Sequence, residues 1–459
     1  MSPLPRRTPV LRPSLRTSLR TLFATTLTIL SVVVAGVALS APAHAENRVT
    51  PGDFTGYGFD QCLAPTQAKM DAWMEYSPFS AVGIYISGAS RACRSQPNLT
   101  KTWISTQLAK HWRLLPITLG PQSSCVGRFP RYGASIDPTI RERSTNAYAA
   151  ARRQGTAEAQ SAVAAARGLG ITAKSTLWYD LEGWSNVNDV SCRESALSFL
   201  QAWTKELHRL DYVSGVYSSA GSGMVILDQA RINRPSYVIP DRIWIARWDG
   251  VANTSTSYIS EKGWRPGGRV KQYQGGHDET WGGVRINIDR NYLDLGKGSR
   301  RRAAERFCGG TVSVDFPAYH RLRAGTTRTG EVKALQCLLR NRNLYPGKIN
   351  GVFNAELAAG VRAWQKARGT AVSNTWRGHN WTQLLSAGRS RPAKYGTTGR
   401  FIARLQRALV AATGTSQAAD GAFFRSTENL VKKWQGQVGL ARTGVMSSRA
   451  WAMLKHGDA

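Results

Sequence analysis

Acidic side chains are scarce in this 459-residue chain: 29 Asp and Glu stand against 61 Lys and Arg, a formal charge of +32. So basic a balance points to a polyanionic partner. Nucleic acid is one such class, but the sequence lacks the stripe of interleaved basic and aromatic residues that would favour it, and no nucleic-acid partner is expected. Metal-ligand spacing is missing too. The six cysteines and seven histidines fall into no zinc pattern, so neither a metal nor a cofactor is expected.

What is present begins with an export signature. Arg6, Arg7, Arg12, Arg16 and Arg20 precede an apolar run at 22–39, and Ala43-His44-Ala45 follows as a small-x-small cleavage site. Residues 1–45 are expected to be a removable signal peptide rather than a permanent anchor. The Arg6-Arg7 pair points toward twin-arginine export, but Thr8, Pro9 and Val10 depart from that pattern, and the route stays open. The expectation is a secreted, cell-wall-associated monomer with no membrane contact after cleavage. For such a protein an anionic wall polymer is the better partner. All six cysteines (Cys62, Cys93, Cys125, Cys192, Cys308 and Cys337) lie beyond the signal segment. An even number in an exported chain implies three disulfides, with all pairings open at this point, and argues against a cysteine nucleophile.

From 54 to 296 short apolar runs alternate with helical stretches. Strands are expected at 56–62, 81–87, 114–120, 176–183, 212–219, 242–249, 270–275 and 284–292. Eight strands with crossovers over that length predict an α/β fold, a (β/α)8 TIM-like barrel, with an open doubly wound sheet as runner-up. Parity within the strands is consistent. Val82, Ile84 and Ile86 share one face, as do Ile286 and Ile288, and such faces suit packing against surrounding helices. The opposite faces collect Asp60, Tyr85, Asp180, Tyr217, Trp248, Gln272, Gln274, Asp289 and Asn291, most of them near strand ends. In a barrel that face points inward, and sites form at the C-terminal mouth. Asp180-Leu181-Glu182 is the sharpest element. Two carboxylates at i and i+2 point the same way at a strand end, and mutual repulsion raises one pKa. That is a geometry for acid/base work on a glycosidic bond. Trp178 and Trp248 are available for sugar stacking, and core packing is an equal reading for Trp178.

A glycine-rich, then basic, linker is expected at 297–307. The remainder repeats itself with an offset of 70 residues: Leu335-Gln336 matches Leu405-Gln406, Gly351 and Phe353 match Gly421 and Phe423, Trp364-Gln365 matches Trp434-Gln435, and Trp381 matches Trp451. Two small all-α three-helix modules result, at 308–388 and 389–459, with the repeated Trp and Leu read as core.

The repeat resembles the peptidoglycan-binding-like modules, through Val332 to Gln336, Gly351 to Phe353, Trp364-Gln365 and Trp381 to Leu384. That resemblance implies a peptidoglycan or other anionic wall-glycan partner, and it implies a Cys308–Cys337 bridge. The barrel region resembles secreted bacterial glycoside-hydrolase-like domains of formerly unknown function. The motifs are Gly58-Phe59-Asp60, Val82-Gly83-Ile84-Tyr85-Ile86, Tyr179-Asp180-Leu181-Glu182, Ser214-Gly215-Val216-Tyr217, Trp244-Ile245-Ala246-Arg247-Trp248, Gln272-Tyr273 and Ile288-Asp289-Arg290-Asn291. More distantly it resembles the muramidases of glycoside hydrolase family 25. The resemblance implies Glu182 as general acid, Asp180 as the carboxylate that stabilises the developing cation or orients an N-acetyl group, and Asp60 and Asp289 in the same subsite. Tyr85, Tyr217, Trp248, Gln272, Gln274 and Asn291 are the candidate substrate contacts.

Because adjacent strand ends in a barrel lie within bridging distance, Cys62–Cys93 and Cys125–Cys192 are the expected remaining disulfides. Two function classes follow: a hydrolase of peptidoglycan or a related wall glycan, and a non-catalytic wall-binding or scaffolding protein. A chitinase-like barrel is weaker, because the residues before Asp180 lack the longer run of acids it would need.

Overall fold

The computed structural model describes residues 49–296 and 306–459; the expected signal peptide and most of the expected linker lie outside them. In chain order the first part comprises β1 (Thr55–Asp60), α1 (Gln67–Tyr76), β2 (Ala81–Ser87), α2 (Lys101–Ala109), β3 (Arg113–Thr118), α3 (Thr145–Gly168), β4 (Thr176–Asp180), α4 (Val190–Arg209), β5 (Val213–Ser219), α5 (Gly223–Asn233), β6 (Arg242–Ala246), β7 (Arg269–Trp281) and β8 (Val284–Asp294). The eight strands close into a barrel in sequence order. Helix starts are chemically marked. The side chains of Thr66, Thr100 and Asp189 accept N–H groups from the first turns of α1, α2 and α4.

The closed eight-stranded barrel is as expected, but its last quarter departs from a regular β/α repeat. Strands β1 to β7 run parallel, whereas β8 pairs antiparallel with both β7 and β1. The cause is local. Gly282 and Gly283, at φ +59° and +75°, make a two-residue turn that folds β7 directly onto β8. Between β6 and β7 a polar loop replaces a helix. It is braced by two buried cations: Lys271 Nζ donates to both Asp249 oxygens (3.1 and 3.0 Å) and to Asn253 Oδ1 (2.7 Å), while Arg269 Nε donates to the Gly263 carbonyl (2.8 Å).

The parity reading describes the packing. Val82, Ile84, Leu177, Tyr179, Ile243 and Ile288 lie in the large core between barrel and helices. A smaller core fills the barrel floor, where Leu115, Trp178, Trp244 and Leu293 meet. Trp178 is fully buried, edge-on to Trp244 with ring centres 5.6 Å apart, so it is floor rather than sugar platform. Three disulfides join Cys62 to Cys93, Cys125 to Cys192 and Cys308 to Cys337, with Cα separations of 5.7, 6.2 and 6.0 Å. Cys125, Cys192 and nearby Asp189 could be mistaken for a metal cluster; the sulfurs are bonded to each other, and Asp189 caps α4.

The C-terminal part opens with a short hairpin, β9 (Arg306–Phe307) and β10 (Val312–Ser313). Two helical triplets follow: α6 (Thr329–Arg340), α7 (Ala355–Ala367) and α8 (Gly378–Ser386), then α9 (Arg400–Thr413), α10 (Arg425–Gln437) and α11 (Ser448–His456). Trp364, Trp381, Trp434 and Trp451 are buried, as the core reading expected. The repeated glutamines brace loops. Gln336 accepts from the N–H groups of Asn350 and Gly351, and Gln406 accepts from Gly421. The triplets share one continuous core, sealed by Gln383 Nε2 donating to the His456 carbonyl (2.8 Å). Among the described residues no helix is long and apolar enough to cross a membrane.

The second triplet is seated against the foot of the barrel, where the strands begin. Lys394 is buried there, and its Nζ donates to the carbonyls of Met74 (2.6 Å), Phe79 (3.0 Å) and Trp73 (3.3 Å) at the C-terminal end of α1 and just beyond it. The Tyr395 ring packs against Tyr57, with centres 5.1 Å apart, and its hydroxyl lies 3.3 Å from that of Tyr292.

Candidate active site

The carboxylates predicted from parity converge at the opposite end, the barrel mouth. Asp60 ends β1, and Asp289 stands directly across from it on β8. Because β8 runs antiparallel, Asp289 reaches the mouth from within its strand rather than from a C-terminal end. Gly83 makes room for Asp60: a Cβ there would sit 2.5 Å from the Cβ of Asp60. Asn291 Nδ2 donates to Asp60 Oδ2 (2.6 Å). Gln272 Nε2 spans the pair, 3.2 Å from Asp60 Oδ2 and 3.3 Å from Asp289 Oδ2. Burial, reinforced by the charge of Asp289, pushes the Asp60 carboxyl up to about 8. Burial also raises Asp289, to about 6, against a hydrogen bond with Asp60 that lowers it.

Gln272 is the hub of the mouth. Its Oε1 accepts from Tyr217 Oη (3.0 Å) and from Trp248 Nε1 (2.9 Å). Trp248 lies past the end of β6 and is 66% exposed. One face of its ring covers Gly275, where a Cβ would come within 2.6 Å, and this leaves an aromatic surface open to solvent. Gln274 does not join the network. A bulge after Gln272 breaks the alternation and sets Gln274 opposite Arg290, and among the described residues it makes no hydrogen bond into the mouth.

Asp180 and Glu182 stand at the end of β4 in unlike surroundings. Asp180 is 3% exposed and accepts from Tyr85 Oη (3.2 Å). Burial, then the nearby Glu182 charge, holds its carboxyl well above the usual range, while Tyr85 and Tyr217 are raised by burial and stay protonated. Glu182 is partly open and forms an ion pair with Arg128, an exposed residue of the β3–α3 loop. The two carboxyls therefore differ: burial raises Asp180, while the more open Glu182 faces a guanidinium. Gln122 fixes both residues. Its Nε2 donates to the Asp180 carbonyl (2.8 Å), and its Oε1 accepts the Glu182 N–H (2.8 Å). Neither Gln122 nor Arg128 was legible in the sequence, since both sit in an irregular loop with no period and no motif.

A cavity of about 680 Å³ at the foot, partly lined by Asp71, Glu75, Lys110 and Arg391, is a weaker candidate. Its Lys110 and Asp71 are paired with each other, whereas Asp180 Oδ1 at the mouth has no partner among the described residues.

A closed barrel with four carboxyls at its mouth is the frame of a glycoside hydrolase-like domain. Residues 71–293, most of the barrel, match the family described as Rv2525c-like, glycoside hydrolase-like domain. Residues 328–373 and 398–454 match the family described as "Putative peptidoglycan binding domain", one match within each helical triplet, the first ending before α8. No curated protein matches the chain. Among solved structures, an uncharacterized B. stearothermophilus protein is 17% identical with a TM-score of 0.33, covering 52% of this chain and 95% of that one. The Mycobacterium tuberculosis Tat-secreted protein Rv2525c is 12% identical with a TM-score of 0.34, at the same coverage. The modular autolysin LytC from Streptococcus pneumoniae is 12% identical with a TM-score of 0.32, covering 52% of this chain and 46% of that one.

Proposed function

We propose that this protein is an exported hydrolase of peptidoglycan or a related wall glycan, built from a barrel at 54–296 and two wall-binding modules at 308–388 and 389–459. The carrying observation is the unlike pair at the mouth, a buried Asp180 carboxyl raised well above its usual range beside a more open Glu182 paired with Arg128. A sugar chain entering the mouth displaces Arg128. In the reactive complex the shared proton sits on Glu182, and Asp180 is the anion, steadied by the Tyr85 hydroxyl. Glu182 gives that proton to the glycosidic oxygen as the bond to the anomeric carbon breaks. The Asp180 carboxylate offsets the positive charge that develops, and water completes the hydrolysis. Asp60, Asp289, Gln272 and Asn291 hold the hydroxyls of the same sugar, and Trp248 stacks on a sugar face. The three disulfides and the wall-binding repeats support an extracellular location.

The test is release of new reducing ends from purified peptidoglycan. Wild type is expected to release them, and Glu182→Gln to do so about 10²-fold more slowly. Equal inertness on several walls would sink the hydrolase reading. The second reading, a wall-binding protein that uses the barrel as a glycan pocket, is favoured by the Arg128–Glu182 ion pair, which occupies the expected acid. It predicts inert protein that still sediments with walls.

Trp248→Ala is expected to weaken retention of soluble wall fragments about five- to ten-fold while leaving the melting temperature unchanged, because the ring is largely exposed. Titration calorimetry with purified fragments measures it.

A further inference from the structure

The junction of the two helical repeats gathers four cations without a carboxylate. Arg342 follows α6 and donates to the carbonyls of Leu338 (3.0 Å) and Leu384 (3.2 Å). Arg368, just after α7, lies over the Trp364 ring at 4.5 Å, and Arg342 lies 5.5 Å from the same ring. From the second repeat, Arg404 on α9 sits 5.7 Å from the Trp451 ring and donates to the Arg389 carbonyl. Lys455 on α11 is 5.9 Å from that ring, and its Nζ donates to Ser390 Oγ (2.7 Å). The four feel one another. Burial lowers the pKa of both Arg342 and Lys455, and the charges of Arg368 and Arg404 lower them further.

Among the described residues, no Asp or Glu forms an ion pair with any of the four. Some other cations of the same repeats do have such partners: Arg328 with Glu331, Lys432 with Glu428, and Arg407 with Asp315. Like charges drawn together without counter-charge cost folding stability. The cluster exists only because the repeats are fused, since each supplies two of its members.

We propose that this junction binds a polyanion bearing phosphate on successive units, with Arg368 and Lys455 as outer contacts and Arg342 and Arg404 behind them. Guanidinium forks match phosphate oxygens two at a time, and stacking on tryptophan fixes the plane of the fork. Four cations in one seam call for anions spaced closely along a chain. A phosphodiester backbone supplies one per unit, whereas the carboxylates of wall peptides come singly. The site stands apart from the barrel mouth and does not depend on hydrolysis there.

The experiment uses the full chain and long-chain inorganic polyphosphate across a salt series. Wild type is expected to bind, and Arg368→Gln/Lys455→Gln to bind about ten-fold more weakly, with a salt dependence shallower by about one unit for each cation removed. Polyglutamate of equal charge is expected to bind about ten-fold more weakly than polyphosphate. Walls stripped of phosphate polymers by hydrofluoric acid should retain less wild type than untreated walls. Arg368→Gln alone, at an exposed position, guards against misfolding of the double variant. Unchanged polyphosphate affinity in the variants, or equal binding of polyglutamate, overturns the proposal. Reducing-end release on the stripped walls reports separately on the barrel.

Discussion

Asp180→Asn is expected to lower turnover of wall glycan by about 10³-fold, on the order of 4 kcal/mol of transition-state stabilisation, with little loss of stability. The amide keeps the shape and can still accept from Tyr85, but it can neither hold the shared proton nor carry negative charge. Burial makes that charge effective, because few waters compete with it at a site 3% exposed. The pH profile separates this from a merely structural defect. In the wild type, activity falls on the alkaline side when the proton shared by Asp180 and Glu182 leaves. Burial and mutual repulsion hold that proton above the usual carboxylate range. Asp180→Asn removes the raised carboxyl that sets this limb, so the alkaline limb of the variant moves to lower pH. A variant with wild-type turnover and an unmoved limb would remove Asp180 from the reaction.

Lys394→Met is expected to destabilise the chain by about 3 kcal/mol at neutral pH, because three carbonyls at the foot of the barrel lose their donor. Burial lowers the Lys394 pKa to about 7, opposed by the Glu75 carboxylate. In the unfolded chain a lysine titrates near 10.4. From about pH 7 to about pH 10 the unfolded state therefore binds more protons, and the wild type gains stability as pH rises, by at most about 1.4 kcal/mol per unit. Below pH 7 both states are protonated and Lys394 contributes no slope. The Met variant should lack this rise, so the gap between the two proteins widens toward alkaline pH. Denaturant unfolding at several pH values measures it; parallel curves would show that Lys394 does not titrate in that window.

Much of this architecture was readable. Period-two alternation sorted Val82, Ile84 and Ile288 outward and Asp60, Tyr85 and Asp289 inward, because every strand here has helices or loops on one side and the barrel interior on the other. The antiparallel eighth strand was missed although Gly282-Gly283 between Trp281 and Val284 is a hairpin signal; the assumption of uniform crossovers hid it. The register of Gln274 was not legible because a bulge leaves no mark in the side-chain pattern. The ion pair of Glu182 was not legible because its partner Arg128 lies more than 50 residues away in the chain. Lys394 lies more than 300 residues from the carbonyls it caps, and nothing in local composition could reveal that contact.

The seating of the second repeat against the strand starts has a mechanical consequence. The mouth lies at the other end of β1, about 17 Å away along a strand of this length. A joint made by a buried lysine and a tyrosine cluster acts as a fixed bracket rather than a tether. A wall layer gripped by the repeats would therefore sit at a set stand-off from the mouth, and the barrel could reach only glycan strands at that height, working as a depth gauge on a layered mesh.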